Sequence, residues 1–222
     1  ADAISPILTM LIVAPLSFFG NWVIYKALLR PLVNRARNQG QLEVDSILAT
    51  FGMSFALVGI MVSVHGEYFT YSYLAEPFEI VGETFALNRI IAFCFAVLIG
   101  AILWLWLYFT RPGMAMRAVS VSTEASGLVG INVPRMSALA FALGGAVTTM
   151  GGTLISTFIT LDASVGVIFT MKALIIIIMG GVGDIRGAIV AALILGLVET
   201  TVARLIDPGL TLASAYAIFV LV

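Results

Sequence analysis

Ionised side chains are scarce in this 222-residue chain. Its 11 Lys and Arg and 12 Asp and Glu make up 10% of the sequence, against 61% hydrophobic residues and a mean hydropathy of +1.11. About a quarter of a water-soluble domain is normally charged, so the composition excludes such a domain and places the chain in lipid. A net charge of -1 lacks the Lys and Arg needed to neutralise phosphates, which argues against a nucleic-acid partner. Cysteine is nearly missing too. Cys94 stands alone inside IIAFCFAVLIG, so neither a disulfide framework nor a thiolate metal cluster is available, and Cys94 reads as a small buried hydrophobe. No metal site and no catalytic residue is expected. Neither the opening ADAISPIL nor the closing AYAIFVLV resembles a charged n-region or a finished tail, so the chain reads as a piece of a longer protein.

What is present is a series of apolar runs. They cover Ile4 to Leu29, Ile47 to Val64, Ile90 to Phe109, Met136 to Thr160, Val165 to Met179 and Ala188 to Val202, with a last one from Leu210. At about 1.5 Å per residue most can cross a hydrocarbon core of about 30 Å, and continuous runs exclude the alternation of barrel strands. The expected fold is all-α, a polytopic transmembrane helical bundle with about seven membrane segments. Positive charge orients it. Arg30, Arg35 and Arg37 follow the first run with Lys26 just before them, and Arg111, Arg117 and Arg135 follow the third. Between them lies a segment with Glu67, Glu76, Glu79 and Glu83 against Arg89. The basic loops therefore face the cytoplasm and the acidic one faces out. Tyr68, Phe69, Tyr71 and Tyr73 read as an interfacial aromatic belt, and His65 as a solvated loop residue.

Small residues recur every four positions at Ala140, Gly144, Thr148, Gly152 and Ser156, and again at Ala188, Ala192, Gly196 and Thr200. Each row lies on one helical face where another backbone can approach closely, so both helices are expected inside the bundle. Thr148, Thr149, Ser156 and Thr157 put hydroxyls at membrane depth, and with Glu199 they are candidates to line a polar path.

One passage interrupts the oily pattern: MGGVGDIRG, residues 179 to 187. It has neither GxGxxG spacing nor a Lys after a Gly, so the chain carries no phosphate-binding loop. Gly181 to Asp184 spells GxGD and resembles the signature of intramembrane aspartyl proteases. That chemistry needs a second carboxylate sharing a proton, and the expected YD pair is absent. The remaining readings are a helix broken at membrane depth, where unwound backbone lines a cavity, or a tight cytoplasmic turn between two helices. Either makes Gly180, Gly181, Gly183, Asp184, Arg186 and Gly187 a Gly-rich joint.

RPGMAMRAVSVSTEASGLVGINVPR, then ALAFALGGAVTTMGGTL, then MKALIIIIMGGVGDIRGAIVAALILGLVE, with RPL at 30 to 32 and LATFGMSF at 48 to 55, resemble the permease subunit of bacterial ABC importers for branched-chain amino acids. The resemblance covers nearly the whole chain. It implies a single transmembrane permease domain over residues 1 to 222, in the bacterial inner membrane, lacking N-terminal helices and a C-terminal tail found in longer members. It also implies a cytoplasmic coupling loop at residues 110 to 135, in which Arg117, Glu124, Ala125, Gly127, Leu128, Gly130, Ile131 and Asn132 meet an ATPase. The implied partners are a second permease subunit, two ATP-binding cassette subunits that hold ATP and Mg, and an extracytoplasmic amino-acid-binding protein. No cofactor belongs to this chain, and it is not itself an enzyme. Relatives that carry urea or short amides give the alternative substrate.

Overall fold

The computed structural model describes residues 6–35, 39–65, 68–69, 77–80, 83–162, 165–181 and 183–221. Each apolar run is mainly helical within them, the fourth leaving its helix at Ile155 rather than Thr160: α1 (Pro6–Ile24), α3 (Gln39–His65), α4 (Leu87–Phe109), α7 (Val133–Ile155), α8 (Val165–Gly180), α9 (Ile185–Leu205) and α10 (Thr211–Leu221). Short helices join them: α2 (Arg30–Arg35), α5 (Arg111–Val121) and α6 (Thr123–Leu128). Five helices are long and apolar enough to cross a membrane, beginning with the stretch that runs unbroken through α1 and α2, and α8 is a shorter apolar helix.

Three local readings change. Arg30 to Leu32 were expected in a loop but are helical, and the chain passes from α1 to α2 through a π turn, Tyr25–Leu29. Pro31 explains the turn: it has no N–H, and its ring collides with the carbonyl four residues back, so the widened turn makes room. His65, read as a loop residue, ends α3. The outward segment includes three short strands: β1 (Tyr68–Phe69) pairs with β4 (Leu161–Asp162), which follows α7, and β2 (Pro77–Ile80) pairs with β3 (Glu83–Ala86), both antiparallel. Arg37, Glu67, Tyr71, Tyr73 and Glu76 lie outside the described residues.

The chain divides into two compact units, residues 1–101 with 105–163, and residues 102–104 with 164–222. In the first, the main helix pairing is α1 against α7. Met10 is buried on α1, and Ala138, Ala142, Ala146 and Leu154 are buried on α7. In the second, Ile175 of α8, Leu195 of α9 and Ala215 of α10 form the core. α7 and α9 are the most enclosed of the five long helices, as their small residues suggest.

The enclosed faces nevertheless differ from the expected ones. Ala140, Gly144, Thr148 and Gly152 are exposed, and Gly144 and Gly152 have open space where a Cβ would stand. On α9, Ala192, Gly196 and Thr200 are exposed while Ala191 and Leu195 are buried. The sequence of α7 contains several adjacent rows of small residues, and smallness alone does not choose among them. Asn21 chooses. Its amide fills the space a Cβ on Gly145 would need, which turns the row through Ala138, Ala142 and Ala146 toward α1. Cys94, expected to be buried, is free and exposed on α4: a helix apolar on every side presents cysteine to lipid as readily as leucine.

Candidate functional site

α4 turns into α5 at a sharp corner. Thr110 caps α5 by accepting a hydrogen bond from the Gly113 N–H (3.2 Å), and Pro112 sits in the first turn, where its missing donor costs nothing. A Cβ on Gly113 would stand 2.6 Å from the Leu107 backbone, so only glycine permits this corner. Arg117 folds back over the ring of Tyr108, 3.9 Å from its centroid. Ser122 caps α6 by accepting from the Ala125 N–H (3.2 Å), and Glu124 lies in that helix's first turn, beside the positive end of the helix dipole. Gly130, at φ +83°, reverses the chain, and Asn132 caps α7 by accepting from the Arg135 N–H.

These joints build a two-helix elbow that buries Met116 but leaves other large apolar side chains exposed. Leu128 is 89% exposed, Val121 87% and Val129 75%. Glu124, Ala125, Gly127 and Gly130 are exposed as well, while Ile131 is half-buried and Ser126 is buried. Exposed apolar side chains grouped on a polar loop are the kind of surface that partners cover.

In the second unit the Gly-rich passage is a tight turn between α8 and α9. Gly181 (φ +88°) and Gly183 (φ +91°) take left-handed backbone conformations that disfavour any side chain. Gly180 and Gly187 meet backbone to backbone: a Cβ on Gly187 would collide with the Gly180 carbonyl, and one on Gly180 would lie 2.5 Å from the Ala188 nitrogen. Asp184 caps α9, accepting from the Arg186 N–H at 3.0 Å, and the Arg186 guanidinium lies over Trp104, 4.4 Å from the ring centroid. Of the two readings of this joint, a turn between two helices is the one observed.

The hydroxyls at membrane depth mostly close on their own helix. Thr148 donates to the Gly144 carbonyl (2.9 Å), Ser156 to Thr153 (2.8 Å) and buried Thr157 to Leu154 (2.7 Å). Thr149 reaches across to the Ser17 hydroxyl (2.6 Å), and Asn21 donates to the Ser17 carbonyl (2.8 Å), so α1 and α7 share a polar seam around Gly145. Near the outward end, Asn88 of α4 donates to the Thr157 carbonyl (3.2 Å). Glu199 has a partner the sequence reading overlooked. The Lys172 ammonium lies 2.8 Å from Glu199 Oε2, with the two side chains 25% and 18% exposed. The other carboxylate oxygen, Oε1, is buried without a hydrogen bond. The signal was the rarity of a Lys within an apolar helix, where a charge marks function by default. Among the described residues no cluster of His, Cys, Asp or Glu could hold a metal.

The model of one protein family, described as the branched-chain amino acid transport system permease component, matches residues 3–222. The chain belongs to this family. It is 24% identical over 209 residues to the high-affinity branched-chain amino acid transport system permease protein LivH of Salmonella typhimurium, covering 90% of this chain and 66% of that one. The corresponding permease BraD of Pseudomonas aeruginosa is 29% identical over 119 residues, 53% of this chain and 39% of its own. The ribose import permease protein RbsC of Haemophilus influenzae is 26% identical over 164 residues, 69% and 51% of the two chains. No solved structure matches. The chain thus spans slightly under two thirds of LivH. Membership agrees with the multi-pass helical architecture and replaces the protease reading of GxGD, in which Asp184 has a structural task as a helix cap.

Proposed function

We propose that the chain is the membrane-spanning subunit of an ATP-driven importer for branched-chain or related amino acids in the bacterial inner membrane. The observation that carries this is the family match across residues 3–222. A second permease completes the path, an extracytoplasmic binding protein delivers and selects the amino acid, and two ATP-binding cassette subunits hold ATP and Mg. No bond of the solute is made or broken in this chain.

The α5–α6 elbow supports the coupling role. Arg117 and Glu124 supply polar contacts, Leu128 and Ile131 apolar ones, and Gly127, Gly130 and Asn132 shape the turn into α7. Closure of the ATPase pair pushes the elbow and reorients the helices around the path. A zwitterion with an aliphatic side chain needs polar groups for its ends and an oily route between. In the first unit Thr148, Thr149, Ser156 and Thr157 supply hydroxyl oxygens that can still accept, in the second Glu199 supplies a carboxylate, and the open small-residue face of α7 leaves room for a neighbouring helix or a passing solute.

The test is uptake of labelled leucine by proteoliposomes containing the full-length permease pair, the ATPases and the binding protein. Uptake that requires ATP, and that Leu128→Asp abolishes together with co-purification of the ATPases, is the expected result. Uptake of urea but not leucine would reassign the substrate, and leucine flux without any ATPase would overturn the coupling mechanism.

A further inference from the structure

Between α1 and the first turns of α7 lies an open groove of about 600 Å³, within the range of about 300–1,000 Å³ usual for small-molecule sites. Its lining is divided. Phe18, Phe19 and Trp22 form one stretch, and Lys26, Arg30 and Arg135 form the other; among the described residues no acidic side chain lines it. None of the three cations forms an ion pair among the described residues. Lys26 instead rests on the Trp22 ring, 3.6 Å from its centroid.

We propose that this groove binds the headgroup phosphate of an anionic glycerophospholipid, with an acyl chain lying along the aromatic stretch. Phe18, Trp22, Lys26 and Arg30 follow one another at intervals of four along α1 and so form one row. Its chemistry changes with depth as a phospholipid's does: apolar ring, amphipathic indole, ammonium, guanidinium. A row of fours drifts about 40° per step around an ideal α-helix. The π turn at Tyr25–Leu29 has more residues per turn and takes back part of that drift, keeping Arg30 beside Trp22 and Lys26. The start of α7, with Asn132 and Pro134 also on the groove, adds the positive end of a helix dipole.

Depth favours a lipid over a free anion or a protein segment. Phe18 and Arg30 are twelve residues apart, about 18 Å along the axis, more than half of a hydrocarbon core of about 30 Å. Inorganic phosphate would use only the cationic end, and a polar peptide docking from the aqueous side would leave the aromatic end unfilled. Basic pockets between membrane helices on the positively charged side have the chemistry to hold anionic headgroups, and Lys26, Arg30 and Arg135 lie on that side.

Native mass spectrometry of the full-length protein against dioleoyl phosphatidylglycerol, dioleoyl phosphatidylcholine and inorganic phosphate tests this. The expected result is retained phosphatidylglycerol, with phosphatidylcholine binding more weakly and phosphate unable to displace the lipid. Lys26→Gln and Arg135→Gln should each weaken phosphatidylglycerol binding about fivefold, the effect of one cation at an anionic surface. Lys26→Arg should retain it, as should Arg204→Gln, a cation in the other unit. Equal binding of both lipids, or unchanged binding in a Lys26→Gln/Arg30→Gln/Arg135→Gln variant that still melts cooperatively, would overturn the proposal. Displacement by phosphate would make this a plain anion site, and displacement on adding the ATPases would make it a protein interface; either refutes the lipid assignment.

Discussion

Glu199 sits in an apolar helix with one carboxylate oxygen on Lys172 and the other buried without a hydrogen bond. Removing the lysine leaves the carboxylate alone, and an unpaired charge at the centre of a membrane helix costs up to about 2.5–3.5 kcal/mol; the partial exposure of both side chains reduces this. Lys172→Met should therefore lower the melting temperature of the purified protein in detergent, and Lys172→Met/Glu199→Leu should recover much of the loss. A double variant no more stable than the single would show that the pair does not couple α8 to α9. Glu199 was legible in the sequence because charges are rare there. Its partner was not, because the two residues are 27 positions apart and meet only once α8 and α9 have packed. Cys94 shows the opposite limit: its apolar neighbours were read correctly, but hydrophobicity in a membrane chain does not distinguish a core from a lipid-facing surface.

At the level of elements, the helices were legible from run length, and so were several caps. Thr110, Ser122, Asn132 and Asp184 are the residue types that accept hydrogen bonds from a helix's first N–H groups. Harder to read was which side of each helix packs, since α7 has more than one row of small residues and Asn21 decides between them. The α8–α9 turn allows ranked expectations. Gly187→Ala drives a methyl into the Gly180 carbonyl, whereas Gly183→Ala only forces a side chain into left-handed backbone, a cost of about 1–2 kcal/mol. Thermal unfolding should rank Gly187→Ala as the more damaging of the two. Asp184→Ala should cost about 1 kcal/mol through the lost cap, while Asp184→Asn, which still accepts the hydrogen bond, should be nearly neutral. Severe destabilisation by the asparagine would mean that the charge, rather than the cap, is what the turn requires.

For the molecule as a whole, orientation is the property most directly open to experiment. Positive charge predicts a cytoplasmic α5–α6 elbow, and the two ends of α9, a membrane-length helix, are expected on opposite sides, with the α8–α9 turn cytoplasmic and the α9–α10 corner at Asp207–Leu210 outside. Cys94 is the single cysteine of this chain, so the background is the full-length protein carrying Cys94→Ser and serine at any further cysteine. In it, Leu128→Cys should react with a membrane-impermeant maleimide only in inside-out vesicles, and Gly209→Cys only in right-side-out cells; the reverse pattern would invert the topology. The first three loops were legible from charge counts, because each carries its own bias; the α8–α9 turn, with one Asp and one Arg, and the α9–α10 corner, with Arg204 and Asp207, were not. The pairing of helices within a unit was not, since it depends on contacts between residues far apart in sequence. One such contact constrains how the permease can work. Asn21 enters the notch at Gly145 as a tenon enters a mortise, and Ser17 and Thr149 pin the joint on one side. A sliding motion of α1 along α7 would have to withdraw that amide from its slot and break the bonds that Ser17 makes to the Gly145 carbonyl and the Thr149 hydroxyl. The two helices are therefore expected to move as a single plank, with any opening between helices falling along some other seam.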